Sequence, residues 1–359
     1  MHFPEISNRR LTNQCIGSSI HDNVKNLVSS MGAIQAQDFA MAKWAIGIRV
    51  AKSTINDINE AFNKGDLIRT HLMRPTWHIV SSNDVHWMLD LTAQRIKSSL
   101  RSRHTELGLN SEALNKANRI IEKELGETTF QTREKLALKL NESGIRTDEN
   151  RLSHILFNAE LEKLVCSGPV DKNNQTYTLL NSWVPKTKTL LHDEALAELA
   201  RRYFSSHGPA TLKDFTWWSG LPVGEARKAL DYAKDSFISE TINSETYWFT
   251  EPSTESANTS SSTFLLPAYD EFLISYADRS ASILQVDNKK AISNNGIFRP
   301  VIVENGQVTG LWKRTIKNKY AIIEFDVWQQ PTLQLKEKLE AAALDFGRFL
   351  ELEIRICWE

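Results

Sequence analysis

The sequence predicts an α+β protein with three tandem winged-helix (helix-turn-helix) modules and a C-terminal antiparallel β-barrel-like domain. Helical stripes of apolar residues recur in groups of three, and each group ends in two short runs of strand-forming residues. After residue 264 the pattern becomes predominantly β. The 359 residues suit two to four modules.

The first module, predicted over 1–105, has the least regular pattern. A strand pair is expected at 67–73 and 74–81, and a longer helix at 82–103. The preceding helices are expected near 7–15, 22–31, 39–50 and 54–64.

The second module, predicted over 106–185, shows the repeat most clearly. Ser111 is expected to cap its first helix and Gly126 to end it. Two more helices and a β-hairpin around the turn 171–174 complete the pattern of a winged helix, whose third helix can enter a major groove.

The third module, predicted over 186–252, repeats this plan. Thr211 and Asp214 have the spacing of a reciprocal capping box, and the third helix is expected within 221–233. The adjacent Trp217 and Trp218 are predicted to lie in the core, the commoner place for such a pair, although DNA wedges are the alternative.

The final domain, predicted over 253–359, follows a polar, linker-like stretch at 251–263. Asn305-Gly306 predicts a tight hairpin turn, because both residues readily adopt positive φ. A helix at 331–347 and a closing strand complete the domain.

Composition narrows the function classes. A net charge of −1 argues against a globally cationic, histone-like protein but is compatible with a local DNA-binding stripe. Three widely spaced cysteines predict neither a metal site nor a disulfide framework. No apolar leader or stretch of membrane-spanning length is evident, so we expect a cytoplasmic, nucleoid-associated protein that needs no metal or cofactor.

Two basic clusters are candidate DNA contacts. The first contains Arg95, Lys97, Arg101 and Arg103 on the predicted helix 82–103, where phosphate contact and a solvated helix end are equally compatible with the pattern. The second includes Lys313 and Arg314, and its alternative is a sheet edge protected by cations.

The junction Gln35-Ala36-Gln37 places two amides between apolar segments. In an extended chain both side chains point the same way, whereas in a helix they diverge. The following Asp38 is expected to cap the helix that begins at Phe39.

These motifs resemble the AlkZ and YcaQ winged-helix DNA glycosylases. The resemblance rests on Gln35-Ala36-Gln37 followed by Arg49, and on the later residues Arg69, Met73, Arg74, Thr76 and His78. The C-terminal LLPAYDEFLISYADR and GLWKR are similar to segments of the family's β-domain, and only Pro75 departs from its frequent glycine. The similarity extends over essentially the whole chain.

The resemblance implies a monofunctional DNA glycosylase that removes alkylated, N7-substituted purines or interstrand crosslinks. Such a base is already cationic, so it can leave without an acid, and Gln35 and Gln37 are the expected catalytic residues that position the water.

Further site residues follow from the same resemblance. Arg49, Arg69, Arg74, Thr76 and His78 are expected to contact damaged double-stranded DNA. A buried structural role is the commoner one for a histidine such as His78. Two hypotheses stay open at this point, a glycosylase and a non-catalytic DNA-binding regulator or repair accessory, and either can bind a duplex as a monomer.

Overall fold

A computed structural model describes residues 1, 3–17, 20–170, 175–185, 189–251 and 263–358. The predicted turn at 171–174 and residues 252–262 of the predicted linker lie outside the described residues. The chain splits into two compact units, Met1–Ile58 with Leu196–Glu359, and Asn59–Ala195. Both divisions fall inside predicted modules, so the four domain ranges remain predictions.

Most of the longer helices begin and end close to the predicted positions, and one expected helix is divided in two. The β prediction after residue 264 was wrong for Glu271–Ile274, which is a short helix. None of the helices in the described ranges is long and apolar enough to cross a membrane. In the described chain the α-helices are α1 (Phe3–Asn13), α2 (Val24–Met31), α3 (Phe39–Gly47), α4 (Ile55–Asn63), α5 (Val85–Ser99), α6 (Arg101–Glu106), α7 (Ser111–Gly126), α8 (Arg133–Glu142), α9 (Arg151–Leu161), α10 (Leu180–Trp183), α11 (His192–His207), α12 (Leu212–Ser219), α13 (Val223–Ala233), α14 (Glu271–Ile274), α15 (Asn288–Ala291) and α16 (Leu333–Leu350).

The strands are short until the C-terminal region, where they lengthen. They are β1 (Ile34–Gln35), β2 (Leu67–Leu72), β3 (Thr76–Ser81), β4 (Gln131–Thr132), β5 (Val165–Ser167), β6 (Thr176–Leu179), β7 (Ala210–Thr211), β8 (Ile238–Ile242), β9 (Glu245–Phe249), β10 (Thr263–Leu266), β11 (Val301–Glu304), β12 (Gln307–Ile316), β13 (Tyr320–Val327) and β14 (Glu353–Trp358).

Two small sheets, one in each unit, have the same plan. In both, a two-residue strand pairs with the second strand of a hairpin, giving the orders β4-β6-β5 and β7-β9-β8. In the second unit this sheet closes a core of α7, α8 and α9 side chains that includes Ile121, Leu140 and Ile155. The repeated helix and hairpin pattern of the sequence therefore corresponds to a repeated arrangement of the backbone.

The C-terminal sheet differs from the predicted antiparallel, barrel-like domain. Its five strands follow the order β10-β11-β12-β13-β14, so among the described residues β10 and β14 lie at opposite ends and the sheet is not closed. Its last pair is parallel, with Ile323 opposite Ile356. A parallel pair needs a crossover connection, and α16 supplies it.

Local turn and capping chemistry follows the sequence closely. Asn305 and Gly306 have φ values of 50° and 79°, as expected for the tight turn between β11 and β12. The capping box of Thr211 and Asp214 is present at the start of α12. The exception is α7, where Asn110 and not Ser111 accepts the capping hydrogen bond.

Candidate active site

The Gln-Ala-Gln junction is not helical, because Gln35 lies in a strand and Gln37 in a bend. Gln35 ends β1, and Asp38 has extended backbone angles, φ −96° and ψ 101°. The Asp38 carboxylate accepts the Met41 amide N–H at 3.0 Å, which confirms its predicted role as the cap of α3. Residues 34–38 therefore form a non-helical connection between α2 and α3.

The two glutamines differ in their access to solvent. Gln35 is only 4% exposed, whereas Gln37 is exposed at the surface. Ala36 between them is completely buried. The pair thus spans the boundary between the core and the solvent, with Gln35 at the buried side and Gln37 at the accessible side.

A buried carboxylate, Glu271, holds the backbone of this connection. Its Oε1 accepts the Gln35 amide N–H at 2.6 Å, and its Oε2 accepts the Trp218 indole N–H at 3.2 Å and the Ser275 hydroxyl. The Nε2 atom of His207 lies 3.6 Å from Oε2. Glu271 is 1% exposed, and all the residues in these contacts belong to the first unit.

The carboxylate of Glu271 is ionised. Burial alone would raise its pKa, but the neighbouring His207 and the hydrogen bonds from Ser275 and the Gln35 amide lower the pKa to about 2. Burial in turn lowers the pKa of His207, which favours a neutral ring. The negative charge is therefore held by donated hydrogen bonds.

Arg49 is a correction to the sequence prediction. Its guanidinium is completely buried and donates to both carboxylate oxygens of Asp270, at 2.7 and 2.9 Å. It also donates to the Gln14 side chain and the Ala45 carbonyl. A guanidinium enclosed in this way cannot reach a DNA phosphate, so Arg49 is structural in this fold, fastening the end of α3 to the start of α14.

Arg314 is the predicted DNA-contacting cation that lies beside the glutamine motif. Its Nη2 atom is 4.0 Å from Asp38 Oδ1, and its side chain is 16% exposed. Its Nη1 is buried with no hydrogen-bond partner in the described chain. Burial lowers the pKa of Arg314, although Asp38 opposes that effect. The guanidinium therefore retains an unused donor next to the motif.

Lys313, the neighbour of Arg314, is exposed on β12. The pairing between β11 and β12 ends at Leu311, while Lys313 lies opposite Glu324 of β13. In the described residues this part of β12 is thus a sheet edge. The location is compatible with both predicted roles, edge protection and phosphate contact.

The hairpin β2–β3 in the second unit carries the other motif residues. Arg69 and His78 are buried, at 6% and 1% exposure, while Arg74 and Thr76 are half-buried. The Arg69 guanidinium stacks 4.1 Å from the Trp77 ring and donates to Gln175 at 3.1 Å. The His78 Nδ1 atom lies 3.0 Å from the Thr76 carbonyl, which fits the structural role. Arg69 and His78 therefore face protein and not solvent.

The basic cluster at 95–103 is less available than the sequence suggests. The predicted helix is interrupted at Leu100, so Lys97 lies in the last turn of α5 and Arg101 begins α6. Lys97 pairs with Glu162 and Arg103 with Glu106, each at 2.8 Å. Arg95 donates to the Met73 carbonyl. The described residues offer no carboxylate to Arg101, which is exposed.

A second buried carboxylate lies beside a cavity of about 120 Å³ in the second unit. The Glu160 Oε2 atom accepts the His71 amide N–H at 2.9 Å and lies 2.6 Å from His71 Nδ1. The His71 ring is stacked between Trp77 and Phe157, with ring centres 3.9 and 3.8 Å away. No hydrogen-bond partner of Glu160 Oε1 occurs in the described chain.

Sequence reasoning missed the groups that support the motif. Asp270 and Glu271 lie in the segment whose family similarity was noted, but nothing local links them to Gln35 and Arg49. Trp218 is in the core as predicted, whereas Trp217 is 43% exposed and donates to the Ile274 carbonyl. The described residues contain no group of three or more His, Cys, Asp or Glu arranged to hold a metal ion.

Comparison with known proteins gives consistent results over nearly the whole chain. The family model described as DNA glycosylase AlkZ-like matches residues 28–349. An interstrand DNA cross-link repair glycosylase from Streptomyces sahachiroi is 22% identical over 361 residues, covering 97% of each chain. The solved structure of the Streptomyces sahachiroi DNA glycosylase AlkZ has a TM-score of 0.76 at 20% identity, covering 99% of this chain and 100% of the other, which shows a similar α+β fold.

Proposed function

Because the chain belongs to the DNA glycosylase AlkZ-like family, we propose that it hydrolyses the N-glycosidic bond of N7-alkylated purines, including those in interstrand crosslinks. The observation that carries this proposal is the non-helical, partly exposed Gln35-Ala36-Gln37 connection, whose first residue is held by a buried carboxylate. The crosslink substrate is supported by the similarity to the Streptomyces sahachiroi interstrand DNA cross-link repair glycosylase.

The proposed mechanism uses amides because the leaving base already carries a positive charge. The carbonyl oxygens of Gln35 and Gln37 accept hydrogen bonds from a water and aim it at the anomeric carbon. As the glycosidic bond breaks, the cationic purine leaves as a neutral base without an added proton. The water attacks the sugar cation and loses a proton to solvent. An undamaged purine needs protonation to leave, so this site favours cationic lesions.

The proposed DNA contacts are predicted polar and cationic residues that each unit leaves at least partly exposed. Arg314 lies beside the motif with a side chain that is 16% exposed, and Lys313 and Arg101 are exposed. Half-buried Arg74 and Thr76 on the β2–β3 hairpin remain in the proposed contact set. Each contact to a phosphate releases counterions, so binding weakens as salt concentration rises.

We further infer that the repeated helix and hairpin units are winged helices, three in number, as the sequence predicts. The shared strand orders β4-β6-β5 and β7-β9-β8 support two of them. Their third helices differ, because α9 is buried along most of its length while α13 exposes Arg227, Lys228 and Tyr232. Of these two helices, α13 is the one suited to a DNA groove.

The test of the proposed reaction uses duplexes containing N7-methylguanine or an N7-guanine interstrand crosslink. After incubation, alkali converts abasic sites to strand breaks that gel electrophoresis resolves. We expect breaks with the natural protein and a loss of rate of at least about 100-fold in Gln35→Ala/Gln37→Ala, because the water loses its alignment. The matched control is Gln329→Ala/Gln330→Ala, which changes an exposed glutamine pair outside the motif.

Each result has a distinct meaning. Breaks that persist at full rate in the motif variant move the reaction away from the glutamines. An absence of breaks on both substrates, with the protein folded and binding DNA, contradicts the proposed substrate class.

A further inference from the structure

We propose that Glu271 is a positioning residue for the glutamine motif, holding the backbone of Gln35 in its strand conformation. Its catalytic consequence rests on the proposed function, whereas the clamp itself is a property of the folded chain. Several buried hydrogen bonds meet at one carboxylate, Glu271, which lies 236 positions away from Gln35 in sequence.

The motif segment contains little regular secondary structure. β1 contains two residues, and the helix before it ends at Gly32, where φ is 80°. An amide N–H that is buried must find an acceptor, or it costs about 1–3 kcal/mol. Gln35 meets that need with the carboxylate of Glu271 at 2.6 Å.

Two further donors, one from another helix and one from the end of its own helix, hold Glu271 in place. Trp218 of α12 donates to Oε2 at 3.2 Å, and Ser275 donates to the same oxygen from the end of α14. A carboxylate held from several directions has one orientation available. It therefore fixes the position of the Gln35 amide N–H that donates to it.

The preceding residue extends the same clamp to the far end of α3. Asp270 accepts two hydrogen bonds from Arg49, which follows α3, while Glu271 accepts one from Gln35, which precedes it. Two adjacent carboxylates thus fasten both ends of the segment 35–49. The motif, α3 and the start of α14 are held in one arrangement.

The charge of Glu271 matters as well as its shape. Hydrogen bonds to an ionised carboxylate are shorter and stronger than those to a neutral acceptor. Glu271→Gln keeps the size but removes the charge, and it turns one acceptor oxygen into an NH₂ group that faces a donor. A shift of about 1 Å at a positioning group can cost on the order of 100-fold in rate, so a loosened Gln35 slows the chemistry.

The first experiment measures the clamp without using activity. Hydrogen–deuterium exchange of the full-length protein is followed in peptides covering residues 31–41. We expect at least about tenfold faster exchange at the Gln35 amide in Glu271→Gln. Glu160→Gln is the matched control, because it changes an equally buried glutamate that contacts the β2–β3 hairpin. Unchanged exchange in Glu271→Gln overturns the clamp.

The second experiment asks whether Glu271 acts through Gln35. Single-turnover excision of N7-methylguanine is measured for Glu271→Gln, Gln35→Ala and the double variant, at DNA concentrations that saturate binding. We expect Glu271→Gln to slow excision about tenfold in the natural background and to have no further effect after Gln35→Ala. Multiplicative losses in the double variant overturn the positioning role, because a general structural defect acts independently of Gln35.

Two controls keep the outcomes separate. If Glu271→Gln fails to fold, Ser275→Ala replaces it in the same comparison with Gln35→Ala. Ser275→Ala removes one donor to the carboxylate and is expected to slow excision about threefold. If the natural protein excises nothing while exchange at Gln35 still depends on Glu271, the proposed reaction fails and the clamp stands. If excision occurs and exchange does not depend on Glu271, the reaction stands and the clamp fails.

Discussion

Two buried glutamates, one in each compact unit, each accept a backbone N–H, but they differ in how many of their carboxylate oxygens form hydrogen bonds. Glu271 and Glu160 are 1% and 0% exposed, and each accepts a backbone N–H from a distant strand. Glu271 uses both oxygens, whereas Oε1 of Glu160 has no hydrogen-bond partner among the described residues. Glu160 also borders a cavity of about 120 Å³.

The comparison shows that burial of a carboxylate does not by itself identify a functional residue. Both side chains are fully enclosed and both lie near a histidine. They differ in what they hold, because Glu271 is bonded to the glutamine motif and Glu160 to a hairpin residue, His71. The role of each follows from the segment that it fastens.

The largest expected difference comes from removing each carboxylate. Glu271→Ala leaves the donors of Gln35, Trp218 and Ser275 without their acceptor, so we expect the free energy of unfolding to fall by about 4 kcal/mol. Glu160→Ala also leaves three donors, from Thr70 and His71, but they lie next to a cavity that admits water, so the expected cost is about 2 kcal/mol. Urea unfolding of both variants measures the two costs, and equal losses would remove the distinction.

A smaller, pH-dependent effect is expected for Glu271. Its pKa is lowered in the folded protein from an ordinary 4.5 to about 2, so ionisation stabilises the fold above pH 4.5. That contribution is lost as pH falls from 4.5 towards 2. The difference in unfolding free energy between the natural protein and Glu271→Gln should therefore shrink across this window. Urea unfolding at pH 6, 4 and 3 tests it, and a constant difference contradicts the assignment.

The smallest effect is expected for Glu160→Gln. The new NH₂ group can occupy the position of the unpartnered Oε1 beside the cavity, so the hydrogen bonds from His71 to the other oxygen persist. We expect a loss of less than about 1 kcal/mol in thermal or urea unfolding. A loss as large as that of Glu160→Ala would show that Oε1 is fully engaged in the folded protein.

Features determined by neighbouring residues were readable from the sequence. The Thr211–Asp214 capping box, the Asp38 cap and the Asn305-Gly306 turn all depend on interactions within a few positions, and the structure confirms them. Contacts between residues that are far apart in the chain could not be predicted from the sequence. For example, β14 pairs in parallel with β13, although the sequence pattern of β14 is equally compatible with an antiparallel neighbour.

The sequence by itself determined most of the longer helices, most of the caps and turns, the α+β class and the family, because these depend on local periodicity and on motifs that are contiguous in the chain. Only the tertiary structure decided that Arg49 is buried against Asp270 and that Glu271 holds Gln35. A charged side chain has the same local pattern whether it meets a phosphate or a buried carboxylate. Its partner is chosen when segments more than 200 positions apart pack together.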